Sequence, residues 1–305
     1  MSVEAAARRL RDSLSGTVRS NEPMARHTTY RIGGPAELFC TLDSVHDVAT
    51  TLRILGEEGV PWSIVGKGSN LLVADGGYAG AVLVLGREFK RHAIEGDLLR
   101  AGAASVAAVL VQEAFGRGMA GLAWAVGIPG TLGGALAMNA GTRDGSVGAT
   151  VDTVTLFSPE EGLLLVHGSD IEWGYRRSGL AGRGIILEAA LRVSSGDPIQ
   201  VRSAMERLLK ERKGSQPLGM PSAGSVFMNP EGASAGRLIE AAGLKGLRRG
   251  GAMVSPQHAN FIVNDGGATA ADVAGLMRTI QTTVKARTGV ELRPEIRLLG
   301  SFEES

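Results

Sequence analysis

Val48, Leu52 and Leu55 recur on one helical face, behind Ser44 as an N-cap with Asp47 three residues on. Gly59 stops that run, so a helix is predicted between them. Pro61 to Val65 reads as a short strand entering a glycine turn, and Ser69 to Val73 looks like the strand leaving it. Ala81 to Leu85 and Leu98 to Ala101 are further buried strands, and Ala104 to Phe115 is an apolar helix. From about Val151 the period changes to two, in Val151–Phe157, Leu163–Val166 and Ile185–Val193, which predicts an antiparallel or mixed sheet. Ser194 to Pro198 is the best linker candidate, and a basic helix follows from Ile199 to Lys213. Gln216 to Gly300 reads as a separate α+β unit. Ser234 caps a helix through Leu244, and Asn260–Val263 is a strand. Thr269 with Asp272 opens a helix reaching Arg287, and Val290–Leu299 alternates as a strand interrupted by Pro294. No repeat at a fixed period is visible.

At 305 residues the chain can hold two or three domains with sizeable cores. Glycine is the departure from an ordinary composition: 44 residues, about twice the usual share, imply tight turns and close backbone approaches. A net charge of +1 supplies no global field to draw the chain to nucleic acid or anionic lipid. The lone Cys40 cannot make an intrachain disulfide, and no Cys/His cluster suggests a metal. A buried, inert thiol is expected there. Met1 to Leu14 places Arg8, Arg9 and Arg11 on a short helical pattern without an apolar signal region. The stretch Gly118 to Gly141 is broken by Pro129 and glycines, which makes a membrane span a poor reading. A soluble cytoplasmic chain, a monomer or weak dimer without nucleic-acid or membrane partners, is the expectation.

Two glycine segments carry the candidate chemistry. The first is Gly66, Lys67, Gly68, Ser69, Asn70 and Leu71. It lacks the spacing and following helix of a Rossmann fingerprint. It reads either as a nest of N–H groups around a small anion or as a tight connection between strands. The second is Gly127, Ile128, Pro129, Gly130, Gly133, Gly134 and Ala135, followed by Asn139 and Gly141. Its glycines let a backbone lie close to a flat ligand, and Pro129 stiffens the turn. Both are expected to offer unencumbered N–H groups to a phosphorylated cofactor.

With these segments go Thr28–Ala36, Tyr175-Arg176-Arg177-Ser178, Gln216-Pro217, Pro221–Phe227, Ala235–Glu240, His258–Asn264 and Pro294-Glu295. On these residues the chain resembles the UDP-N-acetylenolpyruvoylglucosamine reductase (UDP-N-acetylmuramate dehydrogenase) family, in its shorter type II branch, from about Thr28 to Gly300. The resemblance implies an α+β fold: an FAD-binding module of the p-cresol methylhydroxylase type, made of two α+β subdomains, then an α+β substrate-binding domain. The expected division is 1–27 as lead-in, 28–197 for FAD (subdomains about 28–86 and 87–197) and 198–305 for substrate.

The resemblance also implies FAD and NADPH as cofactors, UDP-N-acetylglucosamine enolpyruvate as substrate, and a role in peptidoglycan precursor synthesis. It places Arg176 and Glu295 at the substrate carboxylate and makes Ser225 the proton donor. Tyr175, Gly224 and Asn229 are then substrate contacts, and the two glycine segments with Asn139 and Gly141 hold the cofactor. Glu295 would be either protonated and donating to that carboxylate or ionised and orienting Arg176. His258 would cap or hydrogen-bond in the core, and Tyr30 would pack or anchor. In one departure, Met228 stands where the family usually has a basic residue. A thioether cannot pair with an anion, so either another cation such as Lys245, Arg248 or Arg249 compensates, or substrate affinity is lowered. A flavin-binding relative without this turnover is the alternative. Its covalently tethered oxidase version is disfavoured by the absence of His and Cys from both glycine segments.

Overall fold

Helices α1 (Val3–Ser13) and α2 (Val45–Glu58) open the fold, and both are set by local signals. In α2, Ser44 Oγ accepts the Asp47 N–H at 3.1 Å, and Gly59 closes the helix in the left-handed region at φ +66°. The structure, a computed structural model, describes residues 2–302.

The chain divides into two compact units. The first contains residues 1–20, 38–66 and 80–211; the second contains 21–37, 67–79 and 212–305. The chain therefore passes between them at 20/21, 37/38, 66/67, 79/80 and 211/212. These points do not coincide with the expected divisions at 27/28, 86/87 and 197/198.

Two sheets occupy the first unit. One has the strand order Thr17–Pro23, Pro35–Leu42, Tyr78–Leu85, Trp62–Ile64, the first three strands continuing into residues of the second unit. Leu10 of α1 and Val48, Leu52 and Leu55 of α2 share a buried cluster with Leu38, Leu42 and Leu83 of that sheet. The other sheet is antiparallel throughout, in the order Gly162–His167, Val151–Ser158, Ile185–Arg192, Leu98–Gly102, His92–Glu95. Its buried face packs with α3 (Ala107–Gly116), α4 (Leu132–Ala137) and Leu208 of α5 (Pro198–Ser215).

The expected linker at 194–198 is corrected here. Ser194 and Ser195 pair antiparallel with Ala120 and Met119, and α5 begins at Pro198, so the segment is built into the first unit. Small polar residues signal a linker only when their backbone is not taken up by a partner strand.

In the second unit, α6 (Ala235–Ala241) and α7 (Ala270–Thr288) pack with a short antiparallel sheet of Arg248–Arg249, Ala252–Val254 and Ile262–Asn264. Helix α6 ends three residues before the expected Leu244. The capping box of Thr269 and Asp272 forms as expected. Asp75 adds a second anion to the same helix end, accepting the Ala270 and Ala271 N–H groups at 2.8 and 2.9 Å. Arg297–Leu299 lies parallel to Leu71–Val73. Among the described residues no helix is long and apolar enough to cross a membrane.

Candidate functional site

In the first unit, the second glycine segment becomes a turn followed by α4. Thr131 is the N-cap, its Oγ1 accepting the Gly134 N–H at 3.3 Å. The N–H groups of Ile128, Leu132, Gly133 and Ala135 go to carbonyls of Ala125, Ser105, Ala103 and Thr131. Those five donors are thus committed to the protein, unlike the free row expected from the sequence. What the glycines contribute instead is shape. Gly127 and Gly130 have φ of +71° and +117°, which L side chains rarely adopt. A Cβ on Gly66 would stand 2.5 Å from Thr131 Oγ1. Gly134 is exposed on the first turn of α4, and a Cβ there would meet only Thr131 Oγ1, at 3.6 Å. Bare main chain of this kind fits a flat, phosphate-bearing cofactor lying against it.

The loop carrying Arg176 belongs to the same unit. Asn139, itself left-handed at φ +43°, donates through Nδ2 to the Gly174 carbonyl at 2.9 Å and accepts the Gly148 N–H through Oδ1 at 3.1 Å. Arg176 is also left-handed, at φ +57°, an uncommon state for a residue with a Cβ. Its Nη1 donates to the Gly141 carbonyl at 3.1 Å, and its Cζ lies 5.4 Å from the centroid of the exposed Tyr175 ring. The structure thus joins Asn139, Gly141, Tyr175 and Arg176 in one loop cluster. Here Asn139 and Gly141 hold the arginine's loop, a job their expected role as cofactor contacts does not include.

In the second unit the first glycine segment meets the downstream motif. Gly68 has φ +60°, and a Cβ would run into the His27 carbonyl and Thr28 Cα. Its own carbonyl accepts the Thr29 N–H at 3.3 Å. Asn70 Nδ2 donates to the Glu295 carbonyl at 3.1 Å. Glu295 N–H in turn donates to the Val226 carbonyl at 2.7 Å, beside a bridge between Phe227 and Pro294. Asn70, Ser225 and Glu295 therefore lie on consecutive, mutually bonded backbones. Gly224, at φ +76°, gives the turn that precedes half-buried Ser225.

Asn260 clamps the segment after Ser225. Only 4% exposed, it accepts the Phe227 N–H through Oδ1 at 3.0 Å and donates through Nδ2 to the Phe227 carbonyl at 2.8 Å. His258 supports that clamp by accepting the Asn260 N–H at Nδ1, 3.2 Å, with its ring edge-on to Phe261. Burial first, then the charge of Lys245, hold the His258 imidazole below its ordinary range, which suits an acceptor in the core. Asn229 uses its Oδ1 to accept the Ala235 N–H at 3.0 Å, so it also holds the start of α6. Tyr30 is wholly buried in this unit's core, where burial alone raises its phenol above the ordinary range.

Two groups escaped sequence reasoning as site components: Thr131, whose Thr-x-x-Gly cap is hidden by a six-residue, glycine-bearing helix, and Asn260, a polar residue inside an apolar run. A polar side chain bounded by Ala259 and Phe261 was the available signal.

Known proteins resemble the chain along most of its length. The model of the C-terminal domain of UDP-N-acetylenolpyruvoylglucosamine reductase matches residues 216–299, and an FAD binding domain model matches residues 36–159. A UDP-N-acetylenolpyruvoylglucosamine reductase of Geobacter metallireducens is 45% identical over 96% of this chain and 97% of its own. One from Heliobacterium modesticaldum is 45% identical over 92% of this chain and 90% of its own. Among solved structures, the UDP-N-acetylenolpyruvylglucosamine reductase of Thermus caldophilus superposes with a TM-score of 0.82 at 34% identity, covering 94% of this chain and 100% of that one.

Proposed function

The chain belongs to the UDP-N-acetylenolpyruvoylglucosamine reductase family, and from that membership we propose that it reduces UDP-N-acetylglucosamine enolpyruvate to UDP-N-acetylmuramate with NADPH as reductant, in cytoplasmic peptidoglycan precursor synthesis. The carrying observation is the 45% identity spread over 96% of the chain. The functional division follows the same reading: residues 28–197 bind FAD, residues 198–305 bind substrate, and the protein acts as a monomer or weak dimer.

When bound, FAD supplies a hydride from N5 that originates in NADPH. The cradle of Gly66, Gly127, Gly130, Thr131 and Gly134, with Lys67 to Leu71, is proposed to hold it. The substrate's double bond accepts hydride only if the charge that develops on its carboxyl group is stabilised. Arg176 is the proposed stabiliser, because a guanidinium is always charged and offers a fork of donors to a carboxylate. Its bond to Gly141 and its place beside Tyr175 fix the direction of that fork before substrate arrives. Glu295 orients Arg176 or, protonated, donates to the same carboxylate. As hydride adds to the far carbon, the π-electron pair moves toward the carboxyl-bearing carbon, which takes a proton from Ser225 Oγ. Serine is a weak acid in water but suffices against so basic a carbon when held close. The Asn260 clamp on Phe227 and the Glu295–Val226 backbone bond support this reading by holding Ser225's segment still.

The test is anaerobic. NADPH should bleach the yellow flavin band of the purified protein, and UDP-N-acetylglucosamine enolpyruvate should restore it. A band that NADPH bleaches but this substrate leaves bleached would contradict the assignment.

A further inference from the structure

A sugar nucleotide brings two phosphates as well as a carboxylate, and the three reacting groups leave those phosphates without a partner. We propose that Arg293 binds a phosphate of the substrate's nucleotide, an inference that rests on the function proposed above. The bridge between Phe227 and Pro294 is antiparallel, and the Met228 N–H donates to the Arg293 carbonyl at 2.9 Å. That register sets Arg293 opposite Met228 and Glu295 opposite Val226. Arg293 therefore lies across from Met228, on the segment that is bridged to the one carrying Ser225.

Arg293 is exposed, and among the described residues its side chain makes no ion pair or hydrogen bond. The cations expected to compensate for Met228 are engaged elsewhere. Lys245 pairs with Glu240 at 2.6 Å, Arg248 pairs with Asp265 at 2.5 Å, and Arg249 lies over Gly275 of α7. Direction across the antiparallel bridge favours substrate over dinucleotide. From Ser225 the chain runs toward Asn229, the expected sugar-nucleotide contact, and Arg293 is on that side of Glu295. Arg297, two residues to the other side, pairs instead with Leu71 of the first glycine segment. An exposed guanidinium that makes no ion pair among the described residues, three positions along the register from Ser225, is suited to an anion that arrives with the ligand.

The experiment is calorimetric titration of the FAD-loaded protein with UDP at two salt concentrations, using wild type, Arg293→Ala and Arg293→Lys, with uridine as a phosphate-free control. Arg293→Ala should raise the Kd for UDP about tenfold, as expected for one charge-assisted bond, and flatten its salt dependence. Lysine should recover part of the loss, and uridine affinity and the rate of flavin reduction by NADPH should stay unchanged. Equal UDP affinity in wild type and Arg293→Ala overturns the inference and leaves the proposed function standing. Weaker NADPH binding with unchanged UDP affinity also overturns it, by giving the phosphate to the dinucleotide. A wild type that binds no UDP overturns the proposed function itself.

Discussion

At the scale of single residues, the side chains that shape the fold are polar groups with all their bonds made inside. Asp47 is the clearest. Its carboxylate is buried, which by itself would raise its pKa, yet it accepts the Ser15 N–H at 3.1 Å, Ser15 Oγ–H at 2.8 Å and the Asp43 N–H at 2.8 Å, and these bonds hold it below the usual carboxylate range. A depressed native pKa means stability that is present above the unfolded pKa and lost as pH falls through the folded one. Asp47→Asn should therefore cost about 1–3 kcal/mol at neutral pH, the usual cost of unsatisfied buried donors. That gap should narrow below about pH 4, where unfolded carboxylates protonate. Urea melts across pH check this, and a gap that stays constant into acid would contradict it. Cys40 shows the opposite balance. Burial pushes its thiol up to about 12, in keeping with an inert core residue.

At the scale of elements, what could be read from the chain was what is encoded locally. The caps of α2 and α7 and the period-two strands Val151–Ser158 and Ile185–Arg192 all form where the pattern predicts them. Pro35–Leu42 gives no such signal, because Leu38, Phe39 and Cys40 are buried in succession and alternation is lost. The six residues of α4 were hidden for another reason. Gly133 and Gly134 argue against a helix by propensity, and only the Thr131 cap and the N–H bonds to Ala103 and Ser105 make one. The same holds for the candidate site. Positions of Arg176, Ser225 and Glu295 came from a motif resemblance, whereas Asn260 and Gly141 act through bonds to residues 33 and 35 positions away, which periodicity does not reveal.

At the scale of the whole molecule, the discontinuous units decide what can be cut. Tyr30, Ile32 and Leu72 are buried in one cluster with Val226, Ile239 and Ile280 of the second unit, and Leu71–Val73 is the strand partner of Arg297–Leu299. A fragment of residues 198–305 lacks all of these. Loss of three large buried side chains costs about 2–5 kcal/mol each, comparable to the stability of a small domain. The fragment should show no cooperative thermal transition by circular dichroism; a sharp transition would contradict this partition. Sequence reasoning placed its divisions along the chain, whereas segments 21–37 and 67–79 pack with residues far downstream.

The central proposal is that reduction of the cofactor and reduction of the substrate are separable, with Ser225 needed only for the second. The measurement is stopped-flow comparison of wild type and Ser225→Ala in each half-reaction without oxygen. NADPH should bleach the flavin of both proteins at the same rate, while reoxidation by UDP-N-acetylglucosamine enolpyruvate should slow by about 10²-fold or more in Ser225→Ala, as for loss of a general acid. Unchanged reoxidation would remove Ser225 as the proton donor and with it the mechanism proposed for this chain.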